Sequence, residues 1–172
     1  MDKKNVVRFV SIGGVFTAVT VLLQSAPVFL PAIGMALSPF STLPIALATG
    51  MNIALGISVL VASVLILLMI SLQEALILLF TTGLLGVVLG VCIFRKGLVF
   101  SIVASAAALT AGILALTYIV AIPSFQELAG RLAFPILSLL YFLFSCLYVS
   151  IWSLCFRKFA KRFNKAENVS SE

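Results

Sequence analysis

The chain has 172 residues, of which 63% are hydrophobic and 9% charged, and its formal net charge is +6. A mean hydropathy of +1.29 excludes a water-soluble globular domain of this length. Residues 9–73 contain no Asp, Glu, Lys or Arg, whereas one helix needs only about 20 residues to cross a bilayer, so several spans are required. The segments are apolar on all sides instead of alternating, which favours helices over a barrel.

The first predicted helix covers residues 7–24 and follows Lys3, Lys4 and Arg8. This start resembles a secretory signal, but the only small-residue exit, Gln24-Ser25-Ala26, has Gln at the −3 position and Pro27 directly after it, which suits cleavage badly. We therefore interpret the segment as a retained membrane span. Gly14 and Ala18 lie four residues apart on it, which is typical of a face that packs closely against another helix, in this bundle or in a partner.

The next stretch, residues 25–44, contains four of the six prolines and no charge. Proline removes a backbone donor and clashes with the preceding turn, so the four cannot share one regular helix. Irregular backbone at bilayer depth is tolerated only against protein or a water-filled cavity. We predict a loop at 25–33 that caps the outer mouth and a second helix that is broken at 38–44. The hydroxyls of Ser38, Ser41 and Thr42 would then line a ligand cavity; the alternative is a purely structural kink.

The remaining predicted spans cover residues 34–50, 53–70, 75–94, 98–121 and 132–155. Ten of the eleven basic residues fall at 3–8, 95–96 and 157–165, and the positive-inside rule places all three clusters in the cytoplasm. Because all three clusters lie on the same side, an even number of spans must separate each pair. The chain lengths between them allow four spans between the first and second clusters and two between the second and third. The predicted fold class is an all-α polytopic bundle of six transmembrane helices with both termini cytoplasmic. Its domains are residues 1–156 in the membrane and a basic amphipathic cytoplasmic tail at 157–172.

Polar residues are few, and the candidates for substrate binding are Ser38, Ser41, Thr42, Asn52, Glu74 and Tyr141. An ionisable residue in a membrane indicates function, but Glu74 falls at the predicted outer edge, where a solvated loop charge is the other interpretation.

Enzyme chemistry has little support in the sequence. There is no His, no phosphate-binding G-x-x-x-x-G-K-[ST] loop and no pair of carboxylates in one span, so we expect no catalytic residue, metal ligand or cofactor. Three cysteines, Cys92, Cys146 and Cys155, lie in apolar segments and are interpreted as buried small hydrophobes. The basic clusters flank membrane spans, which indicates the bilayer as partner and not nucleic acid.

A family resemblance follows from this layout. The six short spans, the proline-rich apolar segment and the glycine-rich "TTGLLGVVLG" (81–90) leading into "FRKG" (94–97) resemble the substrate-binding S components of energy-coupling factor transporters, and also related uncharacterised bacterial membrane families. The resemblance implies a vitamin-like ligand near the outer face, and a transmembrane coupling subunit with paired ATPases that docks on Gly14 and Ala18. The predicted function is a multi-pass cell-membrane subunit that binds a fairly apolar or neutral small molecule for uptake. The alternative is a non-transport scaffold or envelope-assembly protein.

Overall fold

A computed structural model describes residues 3–95, 98–120 and 133–169, and these ranges contain helices and no strand. The helices are α1 (Lys3–Phe29), α2 (Pro31–Leu37), a 3-10 helix (Ser38–Ser41), α3 (Thr42–Met51), α4 (Ile53–Ile70), α5 (Leu72–Ile77), a π-helix (Leu78–Thr82), α6 (Gly83–Arg95), α7 (Leu98–Tyr118) and α8 (Phe134–Val169). Within these ranges, six segments are long and apolar enough to cross a membrane: Val6–Phe29, Pro31–Met51, Ile53–Ile70, Leu72–Cys92, Val99–Tyr118 and Phe134–Leu154. The all-α bundle of six membrane helices is therefore confirmed.

The connection between the first two spans is much shorter than the predicted loop at 25–33. The first helix continues through Pro27 to Phe29, and α2 begins at Pro31, so Leu30 alone lies outside helix. Proline is tolerated at Pro31 because the first turn of a helix needs no backbone donor. A β-carbon on Gly34 would overlap the Ala26 carbonyl, so only glycine lets α2 fold back this closely on α1.

The second span is broken as predicted. A single 3-10 turn that contains Pro39 separates α2 from α3, because proline offers no donor for a continuous α-helical ladder. Pro44 falls in the first turn of α3, where backbone N–H groups have no intrahelical acceptor.

The fourth span carries a second irregularity, which the sequence did not predict. Between α5 and α6 the backbone forms a π-helix, and the Gly83 N–H donates to the carbonyl of Leu78, five residues back. Such single-turn π-bulges occur often at functional sites. The second and fourth spans are therefore both irregular.

These two spans form the centre of the bundle. Helix α3 packs against α1, α4 and α6, and α6 packs on its other side against α7. Gly86 and Gly90 let α6 approach α3 closely, because β-carbons there would press on the carbonyls of Thr42 and Ala46. These two glycines of the fourth span therefore serve close helix packing inside the bundle.

The last helix lies at one side of the bundle. It packs mainly against α7, and it reaches the broken second span through Trp152, whose ring meets that of Phe40 edge-on at a centroid distance of 5.3 Å. Helix α8 has 36 residues, while the apolar span within it ends at Leu154. Residues 155–169 therefore continue the helix of the sixth span.

Candidate functional site: a buried polar cluster between three spans

Four polar side chains meet inside the bundle, and we call them the Gln24 cluster: Gln24, Ser41, Glu74 and Thr82. The Gln24 amide oxygen accepts hydrogen bonds from the Ser41 hydroxyl at 2.8 Å and from the Thr82 hydroxyl at 3.1 Å. The Gln24 amide nitrogen donates to a carboxylate oxygen of Glu74 at 2.9 Å. Gln24 and Ser41 are fully buried, and Thr82 and Glu74 retain only 8% and 9% of their exposure. One amide therefore joins the first, second and fourth spans.

The two backbone irregularities place the two hydroxyls. Ser41 is the last residue of the 3-10 turn and Thr82 is the last residue of the π-helix. Five other buried threonines donate to the carbonyl four residues earlier: Thr20, Thr49, Thr81, Thr110 and Thr117. The corresponding carbonyl for Thr82 is that of Leu78, which accepts the N–H of Gly83 instead. The Thr82 hydroxyl donates to Gln24.

Glu74 lies inside the bundle, and the interpretation of it as a solvated loop charge is not supported. The predicted connection at 71–74 shrinks to Ser71, whose hydroxyl accepts the N–H of Glu74 and caps α5. Ser71 and Glu74 have the spacing of a capping box, in which the acid normally bonds back to the cap residue. Here the Glu74 carboxylate turns toward Gln24. From the local sequence alone, the Glu74 carboxylate would be expected to cap α5 and face solvent. In the folded chain it bonds to Gln24 instead.

The hydrogen bonds of the cluster run in one direction. The hydroxyls of Ser41 and Thr82 donate to the Gln24 amide oxygen, and the Gln24 amide nitrogen donates to the Glu74 carboxylate. Glu74 is the only carboxylate within the six candidate spans, and Arg8 is the only basic residue within them. Arg8 and Gln24 are separated by about 24 Å along α1 at 1.5 Å per residue, so Arg8 cannot neutralise the cluster. Within the described spans, the Glu74 carboxylate accepts one hydrogen bond, from Gln24, and has no cation beside it.

Thr42 follows Ser41 directly in the chain but is not a member of the cluster. Its hydroxyl oxygen is fully buried and forms no hydrogen bond within 3.5 Å. The side chain of Tyr148 in α8 lies beside it, so the Thr42 hydroxyl meets the sixth span.

The predicted site residues divide into two groups. Ser41 and Glu74 belong to the cluster, Thr42 follows Ser41 in the chain, and Ser38 is half-buried in the same 3-10 turn. Asn52 lies at the other end of α3, exposed, and its side chain caps α4 by accepting the N–H of Ala54 at 2.8 Å. Tyr141 lies in an apolar core formed mainly with α6 and α7, and its hydroxyl has no hydrogen-bond partner.

Sequence reasoning missed two members of the cluster, Gln24 and Thr82. Gln24 carries a usable signal, because it is the only amide within the first predicted span. Thr82 carries none, because Thr81 beside it is equally buried and differs only in where its hydroxyl points.

Two open grooves flank α1. One, of about 420 Å³, lies between α1 and α4 and contains Gly14, Ala18, Ser58 and Ala62 in its walls. A β-carbon on Gly14 would meet no other atom within 4 Å, so this small-residue face is not used for packing within the described bundle. The other, of about 370 Å³, runs between α1 and the broken span and is lined only by apolar side chains, including Leu23 and Phe40.

The cysteines whose side chains are described are free. Cys92 is buried and Cys146 is half-buried, as expected for small hydrophobes. The side chain of Cys155 lies outside the described part, as do those of the basic tail.

No family model, curated protein or solved structure matches the chain. The fold and the polar cluster together define an integral, multi-pass helical membrane protein.

Proposed function

We propose that the protein is a membrane-embedded binding subunit for uptake of a small molecule across the cell membrane, energised by partner subunits. The observation that carries this proposal is the Gln24 cluster, where a broken second span and a π-turn in the fourth span meet at buried polar side chains. Regular helices satisfy their own backbone groups, so irregular backbone next to buried polar side chains in a membrane is typical of substrate pathways.

The chemistry of the cluster suits a neutral ligand with a hydrogen-bonding head. A polar head of the ligand would replace the bonds that Ser41 and Thr82 now donate to Gln24. The apolar groove beside the broken span has a volume of 370 Å³, which lies in the range of small-molecule sites. Leu23 and Phe40 line this groove and directly precede Gln24 and Ser41 in the chain, so the groove runs along the same two elements that carry the cluster.

Energy for uptake would come from a coupling subunit with paired ATPases, as in the transporters that the layout resembles. The exposed Gly14 and Ala18 face supports this part of the proposal, because small residues let a second transmembrane helix approach closely. Ser58 and Ala62 of α4 supply small residues on the opposite wall of the same groove.

Purified protein tests the binding proposal. Candidate neutral vitamins and related compounds should raise the thermal midpoint of the detergent-solubilised chain, and Ser41→Leu should abolish that rise because it fills the cluster with an apolar side chain. Ser11→Leu is the matched control, because Ser11 is exposed and lies in another part of the first span. Copurification of an ATPase that Ala18→Phe eliminates would support the docking face.

A scaffold that only packs against other membrane proteins is the second candidate. It is favoured by the mutual satisfaction of the Gln24 cluster, which leaves a solute no open polar cavity among the described residues, and by the same exposed Gly14 face. Copurification of membrane proteins without any ATPase, together with no stabilisation by any solute, would favour the scaffold over uptake.

A further inference from the structure

We propose that the Gln24 cluster binds one monovalent inorganic cation of the size of Na⁺. The cation would be held between the Glu74 carboxylate, the Gln24 amide oxygen and the hydroxyls of Ser41 and Thr82. Binding of the ion can be measured without any solute and does not depend on the proposed function.

Charge balance is the first argument. Glu74 retains 9% of its exposure, and no other ionisable side chain of the six candidate spans lies near it. A carboxylate as buried as this is costly unless a proton, a cation or several donors compensate it. The one donor recorded for Glu74 at the cluster is the Gln24 amide, at 2.9 Å. A bound cation would supply this compensation when Glu74 is ionised.

The second argument is the chemistry of the surrounding atoms. The atoms around Gln24 are oxygens of a carboxylate, an amide and hydroxyls, and oxygens are the ligands that hard cations prefer. Two hydroxyl oxygens already lie within 3.1 Å of the amide oxygen. Rotation of the Ser41 and Thr82 hydroxyl protons away from Gln24 would turn three oxygen lone pairs toward one point.

The single carboxylate of the Gln24 cluster favours a cation with one positive charge. Among the described residues, no group of three or more His, Cys, Asp or Glu side chains is available to a metal ion, and the cluster contributes the single negative charge of Glu74. A monovalent cation neutralises that charge, whereas a divalent cation would leave an uncompensated positive charge in the bundle.

Thermal unfolding in detergent is the test. The wild-type chain is measured at pH 7.5 in 100 mM NaCl and in 100 mM N-methylglucamine chloride, which keeps ionic strength constant with a cation too large for the cluster. We expect a midpoint about 3 °C higher in NaCl, which a Kd of tens of millimolar would produce. Equilibrium binding of radioactive Na⁺ should reach one ion per chain.

Three variants and two matched controls locate the ion. Glu74→Gln should abolish the NaCl-dependent rise and the bound Na⁺, while Ser41→Ala and Thr82→Val should each weaken Na⁺ binding at least threefold. Thr81→Val and Ser25→Ala should keep the wild-type rise. Thr81 and Ser25 are as buried as their neighbours in the cluster, but their hydroxyls bond to the carbonyls of Ile77 and Leu22.

An equal midpoint in both salts, or a rise that survives Glu74→Gln, would overturn the cation proposal. So would an Na⁺ response that appears only in Arg131→Ala, because Arg131, which lies outside the described residues, would then be the counter-charge of Glu74. Solute-dependent stabilisation with no Na⁺ dependence would leave the binding-subunit proposal standing and remove only the ion.

Discussion

The Gln24 side chain makes three hydrogen bonds, one each with the 3-10 turn, the π-helix and α5. Its replacement by leucine would leave Ser41 and Thr82 without an acceptor and Glu74 without a donor. A buried polar group that has lost its partner destabilises the folded state by more than the hydrogen bond had stabilised it, and the effect is larger for a carboxylate.

We therefore predict that Gln24→Leu lowers the free energy of unfolding by about 3–5 kcal/mol, as checked by thermal and denaturant unfolding in detergent. Gln73→Leu is the matched control, because Gln73 is exposed at the beginning of α5 and should change stability by less than about 0.5 kcal/mol. Equal effects of the two substitutions would show that the Gln24 cluster does not stabilise the bundle.

Gly112 is the residue at which α7 meets the π-turn. A β-carbon there would overlap the carbonyl oxygen of Phe80, which lies within the π-helix. We predict that Gly112→Ala destabilises the protein by about 1–3 kcal/mol, because either α7 or the π-turn must shift. Gly14→Ala, where the β-carbon meets open space, should be neutral within about 0.5 kcal/mol in the same assay. A neutral Gly112→Ala would contradict this packing.

At the scale of elements, the junction of α3 and α4 depends on Asn52. Its side chain accepts the N–H of Ala54, so Asn52→Ala should lower the free energy of unfolding by about 1 kcal/mol, while Asn52→Ser should retain most of the cap. Thermal midpoints measure both. A capping role also predicts that Asn52→Ser leaves solute-dependent stabilisation intact, and its loss would return Asn52 to the ligand site.

The two irregular spans show what the sequence can and cannot predict. The break at 38–41 followed from Pro39 and Pro44, because proline acts on the backbone locally. The π-turn at 78–82 has no proline or charge, and it depends on contacts such as that between Gly112 and Phe80, which come from distant parts of the chain. The loop at 25–33 was predicted too long, because the close contact of Gly34 with Ala26 depends on how α2 folds back.

The candidate site was predicted in part for the same reason. Ser41 is predictable because it lies in the expected break, and Glu74 because it is ionisable. That Glu74 bonds to Gln24, fifty residues away, is a tertiary contact that local spacing does not encode. Its capping-box position even favoured a solvent-facing role.

At the scale of the whole molecule, orientation in the membrane stays a prediction from the basic clusters. In a chain with Cys92, Cys146 and Cys155 replaced by alanine, Ser124→Cys should react with a membrane-impermeant maleimide added to intact cells. Ser171→Cys should react only after permeabilisation, because both termini are predicted to be cytoplasmic. Labelling of Ser171→Cys in intact cells would reverse the topology or change the number of spans.

The length of α8 has a mechanical consequence. Thirty-six residues make a helix of about 54 Å, whereas the hydrocarbon core is about 30 Å thick. The 15 residues from 155 to 169 extend this helix by about 22 Å at 1.5 Å per residue. A lean of 10° in the sixth span, well inside the usual spread for membrane helices, would swing the far tip by about 4 Å. Small changes in tilt within the lipid would thereby become a larger displacement at the far end of the helix.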